Sequence, residues 1–162
     1  MEVRYKPIGV VVRGLQREGM NPSRYSYVAE IRVLDDYLEG LEGLGSYSHV
    51  IVVFHMHEVR GYKLRVVPWG RSDIAPQVGV FATRSPMRPN PIGVSACLLE
   101  EVNPPILKVR GLDAYEGTPV LDIKPYDYYD IVRNPRVPEW FKRYWAERKK
   151  GYDDVAPWLG PC

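Results

Sequence analysis

Two arginines and an asparagine stand in a stretch too rich in proline to join a regular ladder. From Gly79 the chain reads Gly-Val-Phe-Ala-Thr-Arg-Ser-Pro-Met-Arg-Pro-Asn-Pro-Ile-Gly93. Pro86, Pro89 and Pro91 fix φ and remove backbone donors, so the loop has little freedom left to lose on binding. It presents Thr83, Arg84, Ser85, Arg88 and Asn90, a set suited to an anion or a nucleotide-like ligand. Gly79 and Gly93 allow close backbone approach. The alternative is a stiff strand connection whose arginines cap carbonyls.

A second cluster runs from Glu116 to Tyr126. If residues 120–124 form a strand, Asp122 and Lys124 point to one face and Leu121 and Ile123 to the other. That acid and amine make either a salt bridge or part of a site. Pro125 ends the pairing, leaving Tyr126 just beyond the strand end. The third cluster, His55-Met-His-Glu58, closes an apolar run. His55 and His57 share a face, and with only His49 besides and no nearby cysteine they suit a pocket rim better than a metal. There is no Walker A sequence and no Gly-x-Ser-x-Gly elbow. Gly40-Leu-Glu-Gly-Leu-Gly45 has the wrong order for a dinucleotide fingerprint and reads as a turn.

The elements that must carry these residues are mostly strands. Runs at 8–12, 27–33, 49–54, 62–67, 78–82, 93–99, 106–110 and 119–123 are β-branched or alternating and are separated by Gly, Pro and Asn. This predicts a small β-barrel or sandwich over residues 1–132. The unbroken run at 49–54 reads as a strand covered on both faces. A short helix is expected at 35–41, capped by Asp35, with Leu38 and Leu41 inward. Residues 133–162 form a C-terminal helical extension. Trp140, Phe141, Tyr144 and Trp145 recur on one helical face, which packs on the barrel or on a subunit partner.

The chain has 162 residues, 45% of them hydrophobic and 26% charged, as expected of a soluble globular domain. Its net charge of +2 argues against a strong nucleic-acid binder, but that average hides a gradient. From Arg133 to Lys150, seven basic side chains face only Glu139 and Glu147, a balance of +5. Lys142, Arg143, Lys149 and Lys150 are therefore candidate phosphate contacts. Cys97 and Cys162 make no disulfide framework, and Cys97 reads as a core residue. No apolar stretch reaches membrane length and no leader precedes Tyr5, so a cytoplasmic protein is expected.

Five segments then match one family in order. They are Pro7-Ile-Gly9, Gly40-Leu-Glu-Gly-Leu44 with Ser48-His49, Gly79-Val-Phe-Ala-Thr-Arg-Ser-Pro86, Arg88-Pro-Asn-Pro-Ile-Gly93, and Gly111-Leu-Asp113 followed by Gly117-Thr-Pro-Val-Leu-Asp-Ile-Lys-Pro-Tyr126. The chain resembles the TsaA-like family of S-adenosylmethionine-dependent tRNA (adenine37-N6)-methyltransferases over about residues 5–130. The resemblance implies a small closed or nearly closed β-barrel that dimerises, binds the cofactor near the dimer interface and acts on tRNA; from the histidine and cysteine spacing no metal is expected. Cofactor contacts would fall on His55, Met56, Arg84, Val94 and the turn Glu116, Gly117, Thr118, Pro119. The family's Pro-Arg-Gln loop has its nearest counterpart in Pro22, Ser23 and Arg24, without the glutamine. Met56 stands where glutamine is common, and Glu116 replaces an aspartate.

The implied reaction moves a methyl group from a sulfonium to N6 of adenosine 37, a base that carries a threonylcarbamoyl group in characterised members. Asp122 and Tyr126 are candidates to bond the amine or relay its proton, with Lys124 orienting Asp122 or meeting an anionic substituent. Arg84 and Arg88 would hold the cofactor carboxylate or an RNA phosphate, with Asn90 beside them. Two other classes remain open: a methyltransferase for another RNA or a small molecule, and a non-enzymatic barrel that binds RNA or the cofactor.

Overall fold

A computed structural model describes residues 1–16 and 23–151 of the chain. They fall into two compact units, the described residues of 1–57 with 92–131 and those of 58–91 with 132–151. The strands are β1 (Gly9–Arg13), β2 (Val28–Val33), β3 (His49–His55), β4 (Arg65–Val66), β5 (Val78–Gly79), β6 (Ile92–Asn103), β7 (Ile106–Arg110) and β8 (Pro119–Pro125), followed by helix α1 (Glu139–Gly151). Among the described residues no helix is long and apolar enough to cross a membrane.

The first unit is a closed antiparallel barrel in the order β1-β2-β7-β6-β3-β8. Alternation along each strand sends one set of side chains inward, where Ile31, Val50, Val52, Leu107, Val109 and Val120 are fully buried. The run at 49–54 is not covered on both faces: Val50, Val52 and Phe54 are buried, while His49, Ile51, Val53 and His55 are half-buried. Apolar residues at successive positions conceal that alternation in the sequence. Cys97 lies in the core, and burial pushes its thiol up to about 12.

Closure is short at one seam. β1 meets β8 only at Gly9↔Val120 and Val10↔Pro119, so Asp122 to Pro125 pair with β3 alone. Beside that seam run two 3-10 helices, Asp35–Leu41 and Leu44–Ser46. Leu41 is buried and Leu38 packs on the core, as the spacing predicts. Asp35 does not cap; the capping position is Leu34, which makes no side-chain cap bond.

The second unit holds the two candidate strands that never join the barrel. Arg65↔Gly79 and Val66↔Val78 form a separate ribbon, cut short by 3-10 turns at Pro68–Gly70 and Val80–Ala82. In the first turn Trp69 adopts φ 54°, a left-handed conformation uncommon for a bulky residue. Its ring stacks on Tyr144 at 3.5 Å between centroids and meets Trp140 edge-on at 5.7 Å and Phe141 at 5.9 Å. The aromatic stripe of α1 thus meets Trp69 of the segment 58–91 within the same unit. Sequence spacing shows that α1 has an apolar face but cannot say which distant tryptophan covers it.

Candidate active site

The outer face of three adjacent barrel strands gathers much of the predicted chemistry. On β3 the outward positions are His49, Ile51, Val53 and His55, opposite Leu98, Ala96, Val94 and Ile92 of β6. Across the other edge, Ile51 pairs with Lys124 and Val53 with Asp122 of β8. Val94, Val53 and Asp122 therefore form one row, about 10 Å across at the usual strand spacing. His55 occupies the next outward position on β3. Val94 is 52% exposed and Ile92 39%, so the patch is open and largely apolar.

A bulge determines which β8 side chains reach this face. The register shifts between Val53 and Phe54, so Val120 and Ile123 are the inward pair and Leu121 sits in the irregularity. The expected same-face placement of Leu121 with Ile123 is corrected accordingly, while Asp122 and Lys124 do share a face. Lys124 Nζ donates to Asp122 Oδ2 at 2.6 Å, and Ile123 N donates to Oδ1 at 2.9 Å. The hydrogen bond to Asp122, then its charge, raises the Lys124 pKa. Both side chains remain exposed, so the pair serves orientation more than stability.

The turn from Glu116 to Pro119 leads into β8 at the His55 end of β3. Gly117, at φ 83°, supplies the positive φ of a turn closed by Thr118 N donating to Tyr115 O. Glu116 N and Gly117 N donate to Leu15 O and Val11 O, so these amides are already used. Glu116 Oε2 accepts from Gln16, Thr118 is buried, and Met56 packs against the core. A Cβ at Gly117 would lie 4.0 Å from His57 Nε2. No local spacing in the sequence links positions 57 and 117, so only the fold reveals that approach.

Other predicted residues fall elsewhere. Tyr126 N donates to His49 O at the opposite end of β3, six residues or about 20 Å from His55. Arg24 ion-pairs with Asp113 at 3.1 Å and lies over the Tyr25 ring, while Ser23 Oγ accepts from Tyr25 N. Pro22, and the side chains of Lys149 and Lys150, lie outside the described residues.

Within the second unit, Arg88 Nη1 donates to Thr83 O and Ser85 O, both at 3.2 Å, and Thr83 Oγ1 donates to Val80 O. For Arg88 the carbonyl-capping arrangement is the one observed. Arg84 and Asn90 are exposed. Lys142 pairs with Glu139 at 3.1 Å, and Arg143 donates to Ile74 O at 3.4 Å. Gly93 has a structural duty in the barrel: a Cβ there would lie 2.3 Å from Phe54 Cε2. Among the described residues no three His, Cys, Asp or Glu side chains gather as metal ligands would.

Comparison with known proteins agrees with this architecture. The model of the tRNA-methyltransferase O N-terminal domain matches residues 17–131. A probable S-adenosyl-L-methionine-binding protein of Methanothermobacter thermautotrophicus is 43% identical over 135 residues, 81% of this chain and 94% of its own. The tRNA (adenine(37)-N6)-methyltransferase of Mus musculus is 46% identical over 100 residues, which is 60% of this chain but 23% of the mouse protein. The crystal structure of TrmO from Pseudomonas aeruginosa superposes with a TM-score of 0.66 at 35% identity, covering 84% of this chain and 62% of that one. With the barrel, the ordered motifs and the family model in agreement, the chain belongs to the tRNA-methyltransferase O N-terminal domain family.

Proposed function

We propose that this protein is an S-adenosylmethionine-dependent methyltransferase acting on N6 of adenosine 37 of tRNA, in the threonylcarbamoyl-modified form. The observation that carries the reading is the shared row of Val94, Val53 and Asp122, with His55 at the adjoining outward position. It puts a carboxylate beside an apolar patch on a rigid sheet.

The residues present suit the cofactor by their chemistry. Within the barrel unit, Ile92 and Val94 offer exposed apolar surface for a purine ring and Glu116 a carboxylate for hydroxyls. When bound, the cofactor would supply a methyl carbon on a good sulfonium leaving group. Asp122 holds the target amine through an N6–H hydrogen bond and takes its proton as the nitrogen becomes bonded to carbon. Lys124 orients that carboxylate and offers its ammonium to the threonylcarbamoyl carboxylate. Tyr126, farther along the strand, is the weaker proton-relay candidate.

Two partners belong to this reading. The tRNA meets the basic segment that includes Lys142 and Arg143, and a second copy covers the exposed apolar outer face around Ile92, Val94 and Ala96. Mass spectrometry of position 37 after incubation with modified tRNA and cofactor tests the activity, and sedimentation tests the dimer. Full methyl transfer by Asp122→Asn would remove Asp122 from the mechanism. Absence of a methyl group on adenosine 37 after incubation with the native protein would remove the function.

A further inference from the structure

Beside the short β1–β8 seam lies an open groove of about 560 Å³. Ile8, Leu44, Ile123 and Pro125 are among its apolar wall residues, and Tyr37 and Tyr47 stand at its lip, 38% and 43% exposed. Two carboxylates reach it, Glu42 and Asp122. The groove exists because β1 begins at Gly9, which leaves Leu121 to Pro125 without a strand partner on that side. Asp122 therefore has a double position: it closes the outer row with Val94 and Val53, and it lines the groove.

We propose that this groove receives the target purine of the RNA, unstacked from its neighbours, with its exocyclic amine toward Asp122. The inference rests on the methyltransferase reading above and locates its substrate. An enzyme that works on a base edge must take that base out of the stack, and it repays the unstacking with aromatic or apolar walls and hydrogen bonds. Tyr37 and Tyr47 supply rings, Ile8 and Pro125 supply apolar surface, and the carboxylate accepts from an amine. An adenine amine donates, whereas the carbonyl of a guanine or uracil at that point would meet like partial charge, so the acceptors also select the base. The glycines of Gly40-Leu-Glu-Gly-Leu44, read from sequence as a turn, keep one wall low. A Cβ at Gly40 meets nothing within 4 Å.

The test uses the full chain with a synthetic anticodon stem-loop RNA and two variants, Tyr47→Ala and Gly40→Trp. The first removes a ring, and the second fills the groove where the backbone tolerates a side chain. Two readouts are taken: fluorescence of 2-aminopurine placed at position 38, beside the target adenine, which brightens when that adenine leaves the stack, and KM and kcat for methyl transfer to the same stem-loop carrying threonylcarbamoyladenosine at position 37. The native protein is expected to brighten the probe. Tyr47→Ala should weaken that binding by roughly fivefold or more, the range for one lost base stack. Gly40→Trp should abolish it, with cofactor-induced thermal stabilisation unchanged in both. No brightening by the native protein overturns the proposal, as do native brightening and KM in both variants. Groove-dependent brightening without any methyl transfer leaves the base site standing and removes the methyltransferase reading.

Discussion

Replacing Gly93 by alanine puts the two roles available to this glycine into opposition. In one it lets a ligand approach the backbone; in the other it makes room for Phe54. The alanine Cβ would lie 2.3 Å from Phe54 Cε2, 2.4 Å from Cζ and 2.9 Å from Cδ2, against 3.4 Å or more for ordinary contact. The ring must therefore give way by about 1 Å. Phe54 is only 4% exposed and belongs to the barrel core, so it has no open side to move into. Overpacking of this kind costs about 3 kcal/mol, and the entropy gained on replacing a strand glycine returns about 0.5–1 kcal/mol. The net loss is about 2 kcal/mol, or roughly 4–8 °C in Tm for a chain of this size. Calorimetry of Gly93→Ala, Phe54→Leu and the double variant measures it. In the Phe54→Leu background, Gly93→Ala should be close to neutral, which gives a coupling of about 2 kcal/mol. The cofactor dissociation constant at a temperature where all variants are folded should stay unchanged. An undiminished Tm for Gly93→Ala, or an equal penalty in the Phe54→Leu background, would refute the argument.

Burial raises Cys97 and Tyr27 to about 12 each. The unfolded chain releases these protons at lower pH than the folded one, so their contribution is intact below about pH 9 and is lost as pH rises toward 12. Denaturant titrations should show stability falling by up to about 1.4 kcal/mol per pH unit from about pH 9 for the buried Cys97, and by less from about pH 10 for the half-buried Tyr27; a flat profile sinks the prediction. Trp69→Ala removes the stack on Tyr144 and the contacts with Trp140 and Phe141, at about 1 kcal/mol per aromatic pair beyond burial. Amide exchange over residues 139–147 should accelerate at least tenfold, and unchanged protection would mean that the helix is held by something else. Neutralising Lys142, Arg143, Lys149 and Lys150 together should weaken tRNA binding and flatten its salt dependence by roughly 3 in log–log slope, leaving cofactor affinity alone. An unchanged slope excludes this segment as the phosphate contact.

A strand-rich barrel or sandwich with one C-terminal helix was legible in the sequence, because β-branched alternation and proline and glycine punctuation are local signals; the resemblance, and then the fold, selected the barrel. The sequence also placed Asp122 and Lys124 on a common face, since period-two geometry needs only the strand. Local signals stop at contacts between distant segments. Only the fold brought Val94 and Asp122 to either side of Val53, shifted Leu121 into a bulge, carried Tyr126 to the far end of β3 and turned the arginine of Arg88-Pro-Asn-Pro inward onto its own carbonyls. The same holds for Trp69, which meets the helix stripe across about 70 residues of chain. The groove beside β8 was legible in neither its glycines nor its tyrosines, because it arises from where β1 starts. Alternation determines which way each side chain points along a strand; register between strands determines what it faces, and register is a property of the closed barrel.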